Sequence, residues 1–283
     1  MKQMNVLQSL LPEVYAGQLR QQDWEGLEEL RLGTGRPLRL RYARQERELW
    51  PMSEAHIVEE VIQRACRHSA YAYTDTIRQG YLTVEGGHRI GICGFGVTDG
   101  GLVRTLRTPS SLNIRVAHQI PGCAGALMPV LQGSALLLGP PGSGKTTLLR
   151  DTIRQLSDLR RQRIGVVDER GELSACVNGT AQLDLGSRSD VLMNIPKAEA
   201  VMMLLRTMNP QWIALDEITA PEDVMVMEQA SYCGVKLLAT AHGETIEDLS
   251  CRSLYKKLME IGVFKQVVLL RQDKSYSVQE VKL

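Results

Sequence analysis

Ala135-Leu136-Leu137-Leu138-Gly139-Pro140-Pro141-Gly142-Ser143-Gly144-Lys145-Thr146-Thr147 opens as an apolar run, turns through a glycine loop and enters a helical pattern. The loop matches G-x-x-x-x-G-K-[ST] at every fixed position. Glycines let successive backbone N–H groups turn inward around phosphate oxygens, where a Cβ would crowd them. The helix expected from about Lys145 adds the partial positive charge of its N-terminus. The spacing puts Lys145 at the β- and γ-phosphates of ATP and the Thr146 hydroxyl on Mg²⁺. Gly139, Pro140, Pro141, Gly142, Ser143, Gly144, Lys145, Thr146 and Thr147 are therefore the expected nucleotide-binding set.

Further along, short apolar runs alternate with helical patterns, as stacked βα units do. Trp212-Ile213-Ala214-Leu215 reads as a buried strand ending in Asp216-Glu217. Asp216 there can hold the water shell of Mg²⁺, and Glu217 can orient or deprotonate an attacking water. That carboxylate argues for hydrolysis over transfer to a small acceptor. Ile164-Gly165-Val166-Val167 is a second strand, ending in Asp168-Glu169-Arg170. Strand ends gather at the carboxyl edge of a parallel sheet, so this acidic pair should face the same phosphates. Glu169 is the second candidate base, and Arg170 reads as the pair's local partner. Val235-Lys236-Leu237-Leu238-Ala239 is another strand, ending in Thr240-Ala241-His242-Gly243, with His242 placed to donate to a γ-phosphate. A helical stripe of Ala198, Val201, Met202, Leu205 and Met208, one helix over 249–261 and strands over 263–270 and 276–281 complete this half.

The first half is patterned differently. Pro37-Leu38-Arg39-Leu40-Arg41-Tyr42 alternates with period two, as a half-buried strand should. Ile57, Val58, Val61, Ile62, Ala65 and Cys66 share one helical face. Tyr81-Leu82-Thr83-Val84, a Gly86-Gly87 turn and Arg89-Ile90-Gly91-Ile92 form a hairpin pattern. The expected fold class is thus α/β: a RecA-like P-loop NTPase domain with a central, mostly parallel sheet over 131–283. A smaller α+β domain over 1–117 and a linker over 118–130 precede it.

Composition sets the background. With 43% hydrophobic and 23% charged residues the chain is ordinarily globular, and a net charge of +1 gives no general pull toward nucleic acid or acidic membranes. Residues 1–115 hold fourteen arginines against one lysine, Lys2. The six cysteines, Cys66, Cys93, Cys123, Cys176, Cys233 and Cys251, include no C-x-x-C pair and read as free, buried thiols of a reducing, cytoplasmic compartment. No apolar stretch approaches the ~20 residues of a membrane span.

The succession of P-loop, acidic strand end, Asp-Glu strand end and Thr-Ala-His resembles the secretion-motor ATPases of type II and type IV secretion and type IV pili. Their Walker A, Asp, Walker B and His boxes match 139–147, 167–172, 212–217 and 240–243. Within that superfamily the whole chain resembles the sporulation stage III AA family of endospore-forming bacteria. The carrying residues are Glu29-Leu30-Arg31-Leu32-Gly33-Thr34-Gly35-Arg36-Pro37, Gly87-His88-Arg89-Ile90-Gly91-Ile92-Cys93-Gly94, Ser111-Leu112-Asn113-Ile114-Arg115-Val116 and Val167-Asp168-Glu169-Arg170-Gly171-Glu172. Secretion motors usually carry Gly-Glu in Walker B, whereas this chain has Asp216-Glu217, which leaves the base open between Glu217 and Glu169.

The resemblance implies a homo-hexameric motor on the mother-cell side of a channel to the forespore, peripheral to the membrane and working with membrane-embedded secretion or sporulation proteins. It also implies arginines from the N-terminal domain or a neighbouring subunit at each site, where they would neutralise charge developing on the γ-phosphate. Arg89, Arg104, Arg107 and Arg115, in or just after the hairpin, are the expected suppliers. The alternative is a nucleic-acid-dependent P-loop ATPase, but the N-terminal half lacks the basic, aromatic-studded surface that nucleic acid as a partner would require. A small-molecule kinase would fit the loop, yet has no need of Asp216-Glu217 followed by a histidine strand end.

Overall fold

The computed structural model describes residues 2–19, 24, 26–42, 44–66, 77–78, 80–177, 179–250 and 252–281. Internal contacts divide the chain into two units, Met1–His118 with Ala175–Gln182, and Gln119–Ser174 with Leu183–Leu283.

In the first unit, alternating sequence builds a sheet with one dry face. Strands β1 (Leu27–Gly33), β2 (Pro37–Tyr42), β3 (Glu46–Met52), β4 (Tyr81–Thr83), β5 (Arg89–Asp99) and β6 (Leu102–Arg115) pair in the order β3-β2-β1-β6-β5-β4. Every pairing is antiparallel. Leu30, Leu38, Leu40, Ile90, Leu112 and Ile114 are buried with Ile57, Val58 and Val61 of α3 (Ala55–Ala65), Leu7 of α1 (Lys2–Leu10) and Tyr15 of α2 (Glu13–Leu19). Arginines and glutamates occupy the alternate positions and face outward, as period-two patterning requires. The expected hairpin is present as β4 and β5, turned through Gly86 at φ 85°.

The second unit is built on a seven-stranded sheet. Its strands are β7 (Ala135–Gly139), β8 (Ile164–Asp168), β9 (Ser189–Met193), β10 (Trp212–Leu215), β11 (Lys236–His242), β12 (Gln266–Leu270) and β13 (Tyr276–Glu280), in the order β13-β12-β7-β11-β10-β8-β9. All pairings are parallel except β12 with β13. The central strands are apolar apart from residues at or near their ends, such as Thr240 and His242 of β11 and Asp168 of β8, because both faces are covered. Ala135 and Leu137 of β7 pack with Leu148, Leu149 and Ile153 of α4 (Lys145–Asp158). Leu136 and Leu138 turn to the opposite core. That core contains Val201 of α5 (Lys197–Thr207), Met227 of α6 (Pro221–Tyr232), Leu249 of α7 (Ile246–Ser250) and Leu258 of α8 (Ser253–Ile261).

The structure corrects several local expectations. The helix expected over 249–261 is two, α7 and α8, because Arg252 is extended at φ −101°, ψ 119°. On α5 Val201 is buried and Ala198, Met202 and Leu205 pack against the same core, as the stripe predicts, but Met208 is exposed, and the helix also turns Lys197, Ala200 and Leu204 inward, Lys197 to meet an acid. Residues 121–130 form turns, with Ala124, Leu127 and Met128 buried in the core under α4. The Ala124 N–H there donates to Asp151 at 2.8 Å. Cys66 is buried, but Cys93 and Cys233 are exposed; Cys251 lies outside the described residues. Among the described residues no helix is long and apolar enough to cross a membrane.

Candidate functional site

Strand β7 delivers the glycine loop and α4 receives it. Gly142 and Gly144 take φ values of 74° and 94°, in the left-handed region that glycine tolerates. A Cβ on Gly139 would meet Ser143 Oγ at 2.6 Å and the Leu270 carbonyl at 2.9 Å, so that position admits glycine alone. Lys145, the first residue of α4, is buried, and its Nζ donates to the carbonyls of Gly139 and Pro140 at 2.8 and 2.9 Å. It also lies 3.2 Å from His242 Nδ1. Burial pulls the Lys145 ammonium below its ordinary pKa, with Asp216 and Glu217 acting in opposition.

Register explains why distant residues meet here. His242 pairs with Gly139 across β11 and β7, and Leu215 pairs with Ala239 across β10 and β11. Asp216 and His242 thus end neighbouring strands. Asp216 Oδ2 lies 3.2 Å from the Thr146 hydroxyl, and Asp216 Oδ1 accepts from the Thr240 hydroxyl at 2.8 Å. Burial pushes the Asp216 carboxyl up; bonds from Thr240 and Thr146 oppose this, while Asp168 and Glu217 add to it.

Glu217 has φ 48°, a left-handed backbone on a non-glycine residue. Such strain persists only where its surroundings enforce it. The enforcing contact is Thr240 Oγ1, which accepts from the Glu217 N–H at 2.8 Å while donating to Asp216. The Glu217 side chain lies 3.1 Å from His242 Nε2 and 3.5 Å from Arg170 Nη1.

Arg170 is therefore not the local partner of its neighbouring acids. Glu169 is held by Lys197 Nζ at 2.7 Å, and Asp168 accepts from the backbone of Leu173 and Ser174 at 3.0 and 2.7 Å. Asp168 is 1% exposed and so holds a loop instead of facing solvent.

Pro141, Gly142, Gly144, Lys145, Thr146 and Thr147 line one cavity of about 390 Å³ with Asp216, Glu217 and His242. Glu169 lies outside it, beside Glu217 in a small adjoining cleft. Thr240, Glu172 and Lys274 also line the main cavity. Of these, Thr240 lies inside the Thr-Ala-His-Gly strand end and Glu172 closes the acidic stretch 167–172, while Lys274 carried no sequence signal. Lys274 Nζ donates to the Gly142 carbonyl from the turn joining β12 and β13. Arg150, buried on α4, donates to the carbonyls of Leu173 and Glu172 and puts a cation near Asp216 and Asp168.

The four arginines expected as suppliers all lie in the first unit. Arg89 stacks over the Tyr81 ring at 4.0 Å, Arg104 pairs with Asp99 at 2.8 Å, and Arg115 is 3.9 Å from Glu29. Arg107 is exposed on β6.

The residues fit a bound nucleoside triphosphate with its metal. Ser143 Oγ in the loop is buried without a hydrogen-bond partner, and the space at Gly142 is open. Among the described residues no three His, Cys, Asp or Glu side chains gather to hold a metal. A divalent ion would therefore take Thr146 and Asp216 together with phosphate oxygens and water, the ligand set Mg²⁺ prefers.

A mostly parallel sheet carrying a phosphate loop, acids and a histidine at adjacent strand ends defines a RecA-like P-loop NTPase fold. The pilus retraction motor PilT, solved with bound ADP, superposes with a TM-score of 0.62 at 15% identity, over 91% of this chain and 80% of that one. The Legionella pneumophila ATPase DotB gives 0.58 at 13% identity, over 89% and 75%. Within that class the chain belongs to the family described as sporulation stage III, protein AA, whose model matches residues 2–281. Stage III sporulation protein AA of Bacillus subtilis (strain 168) is 36% identical over 96% of this chain and 92% of its own length.

Proposed function

We propose that the protein hydrolyses ATP with Mg²⁺ as a motor of the secretion type, serving a channel between mother cell and forespore. The observation that carries the reading is the convergence of Lys145, the Thr146–Asp216 pair and the strained Glu217 on one cavity. ATP entering the loop draws Lys145 off the Gly139 and Pro140 carbonyls and onto its β- and γ-phosphates. Bound Mg²⁺ would supply charge neutralisation on the phosphates, held through Thr146 and Asp216.

Glu217 is the base in this reading. Lys197 neutralises Glu169 at 2.7 Å, whereas Glu217 opens to the cavity and keeps only looser contacts. His242 sits between Lys145 and Glu217, within 3.2 and 3.1 Å, where loss of the γ-phosphate on one side can be passed to the base on the other.

The working form is a homo-hexamer in the cytoplasm of the mother cell, peripheral to membrane-embedded channel proteins, with each site completed by Arg89, Arg104, Arg107 or Arg115. Arg150 cannot fill that role because loop carbonyls already hold it. Phosphate release from ATP, measured against protein concentration, tests this. Activity per subunit should rise as the ring assembles, and one of the four arginine-to-alanine variants should lose most activity while retaining ATP affinity. Full activity in a dilute monomer, or four silent arginine variants, would remove the shared site and leave a self-sufficient enzyme.

A further inference from the structure

The outer face of the first sheet carries an arrangement that the phosphate loop does not use. Arg31 of β1 and Arg39 of β2 are register partners, so two like charges sit directly across a strand pair. That placement destabilises a sheet unless something neutralises it. Arg36, from the turn between the strands, brings a third guanidinium to the same cavity of about 320 Å³.

Neighbouring acids answer this charge only in part. Arg31 Nε reaches Glu29 at 3.1 Å and Arg39 Nη1 reaches Glu46 at 3.4 Å. Glu29 is shared with Arg41 at 3.8 Å and Arg115 at 3.9 Å. Among the described residues no carboxylate lines the cavity itself. Its lining includes Gly33 and Gly91, where missing side chains leave room, and Asn113, the register partner of both Arg31 and Gly91. Asn113 Oδ1 is buried with no hydrogen-bond partner, an acceptor that a ligand's hydroxyl would satisfy.

We propose that this cavity binds a phosphorylated small molecule that also carries a hydroxyl group, such as a sugar phosphate. Each guanidinium presents five donors in a planar fork that matches phosphate oxygens, and one carboxylate contact leaves most of them available. The volume lies at the small end of ligand cavities, roughly 300–1,000 Å³, which suits a sugar phosphate.

Calorimetric titration of the full chain with ribose 5-phosphate, inorganic phosphate and ribose tests the assignment. Ribose 5-phosphate should bind saturably, more tightly than inorganic phosphate, and should raise the melting temperature; ribose alone should not bind. The double variant Arg31→Gln, Arg39→Gln should lose about tenfold or more in affinity. Its ligand-free melting temperature should not fall, because a like-charge pair has been relieved. Asn113→Ala should bring ribose 5-phosphate down to the level of inorganic phosphate. Binding must persist in Lys145→Ala. Binding lost in Lys145→Ala but kept in the double variant would put the ligand at the phosphate loop and overturn the proposal. Failure of both phosphates to saturate the wild type, or saturation of the arginine face by an acidic peptide alone, would overturn it equally.

Discussion

The two sheets handle charge in opposite ways. In the antiparallel sheet of the first unit one face is wet, so charged residues spread over it, two residues apart on β1 (Glu29, Arg31) and β2 (Arg39, Arg41) and at wider spacing on β5 and β6. In the mostly parallel sheet both faces are dry. Charge is expelled from the strand bodies and collects where each strand leaves the core, at Asp168, Asp216 and His242 beside the loop that follows β7. An antiparallel sheet with one covered face distributes polar groups over an area, whereas a parallel sheet with two covered faces concentrates them along one edge. Burial at that edge is what pushes the Asp216 carboxyl up and pulls the Lys145 ammonium down, with the neighbouring acids adding to the first shift and opposing the second.

That contrast breaks most visibly at Lys145. Lys145→Ala should abolish ATP turnover while leaving the fold intact, because the residue is an edge group whose loss creates no core cavity. Turnover assays beside a thermal melt decide it; retained turnover would sink the functional reading. Next in size is Glu217→Gln, which should still bind ATP but hydrolyse it ~10²–10⁴ more slowly, the range a positioned base contributes. Glu169→Gln should cost much less, since Lys197 already occupies that carboxylate. Should only the Glu169 variant lose turnover, the base assignment is reversed.

In the strand bodies the effect should move from catalysis to stability. Leu137 of β7 is fully buried, so Leu137→Ala should cost about 2–5 kcal/mol in denaturant unfolding. Glu48, outward on β3, should cost within ~0.5 kcal/mol when changed to alanine. Equal losses at the two positions would erase the distinction between dry and wet faces.

The subtlest test concerns Asp216. Its carboxyl is raised by burial, so the native state holds the proton more tightly than the unfolded chain does. Stability from this group is fully present below the unfolded value of about 3.9 and is lost as pH rises through the raised folded value. At neutral pH Asp216 therefore opposes folding. Asp216→Asn should raise the melting temperature of the nucleotide-free protein there, by an amount that shrinks as the solution is acidified. A gain independent of pH would show that ionisation of the carboxylate is not the cause.

Sequence made the edge legible because the chemical groups sit at or just past the ends of apolar runs: Gly139 after Leu138, Asp216 after Leu215, His242 as the last residue of β11. What stayed hidden depends on partners brought together by folding. Lys197 and Glu169 are 28 residues apart, and Arg170 and Glu217 are 47 apart. Proximity in sequence therefore suggested the wrong partner for Arg170. Strand β9 escaped notice because, as a half-exposed edge strand, it shows neither a continuous apolar run nor clean alternation. The helix break at Arg252 has no glycine or proline to announce it; its guanidinium instead donates to the His242 carbonyl at 2.9 Å. The backbone strain at Glu217 is likewise invisible in a residue type that ordinarily avoids it.

The contacts of Lys145 set the terms on which nucleotide can occupy the loop. With its ammonium already satisfied by the Gly139 and Pro140 carbonyls, an incoming phosphate exchanges hydrogen bonds instead of adding them. Exchange makes net affinity modest even where contacts in the filled site are many. It also gives the loop a resting conformation to fall back into when product leaves, so departure does not strand a buried cation. In the proposed ATPase cycle that reversibility would matter as much as grip: the lysine that would capture the ligand has somewhere to return, and residence time would shorten accordingly.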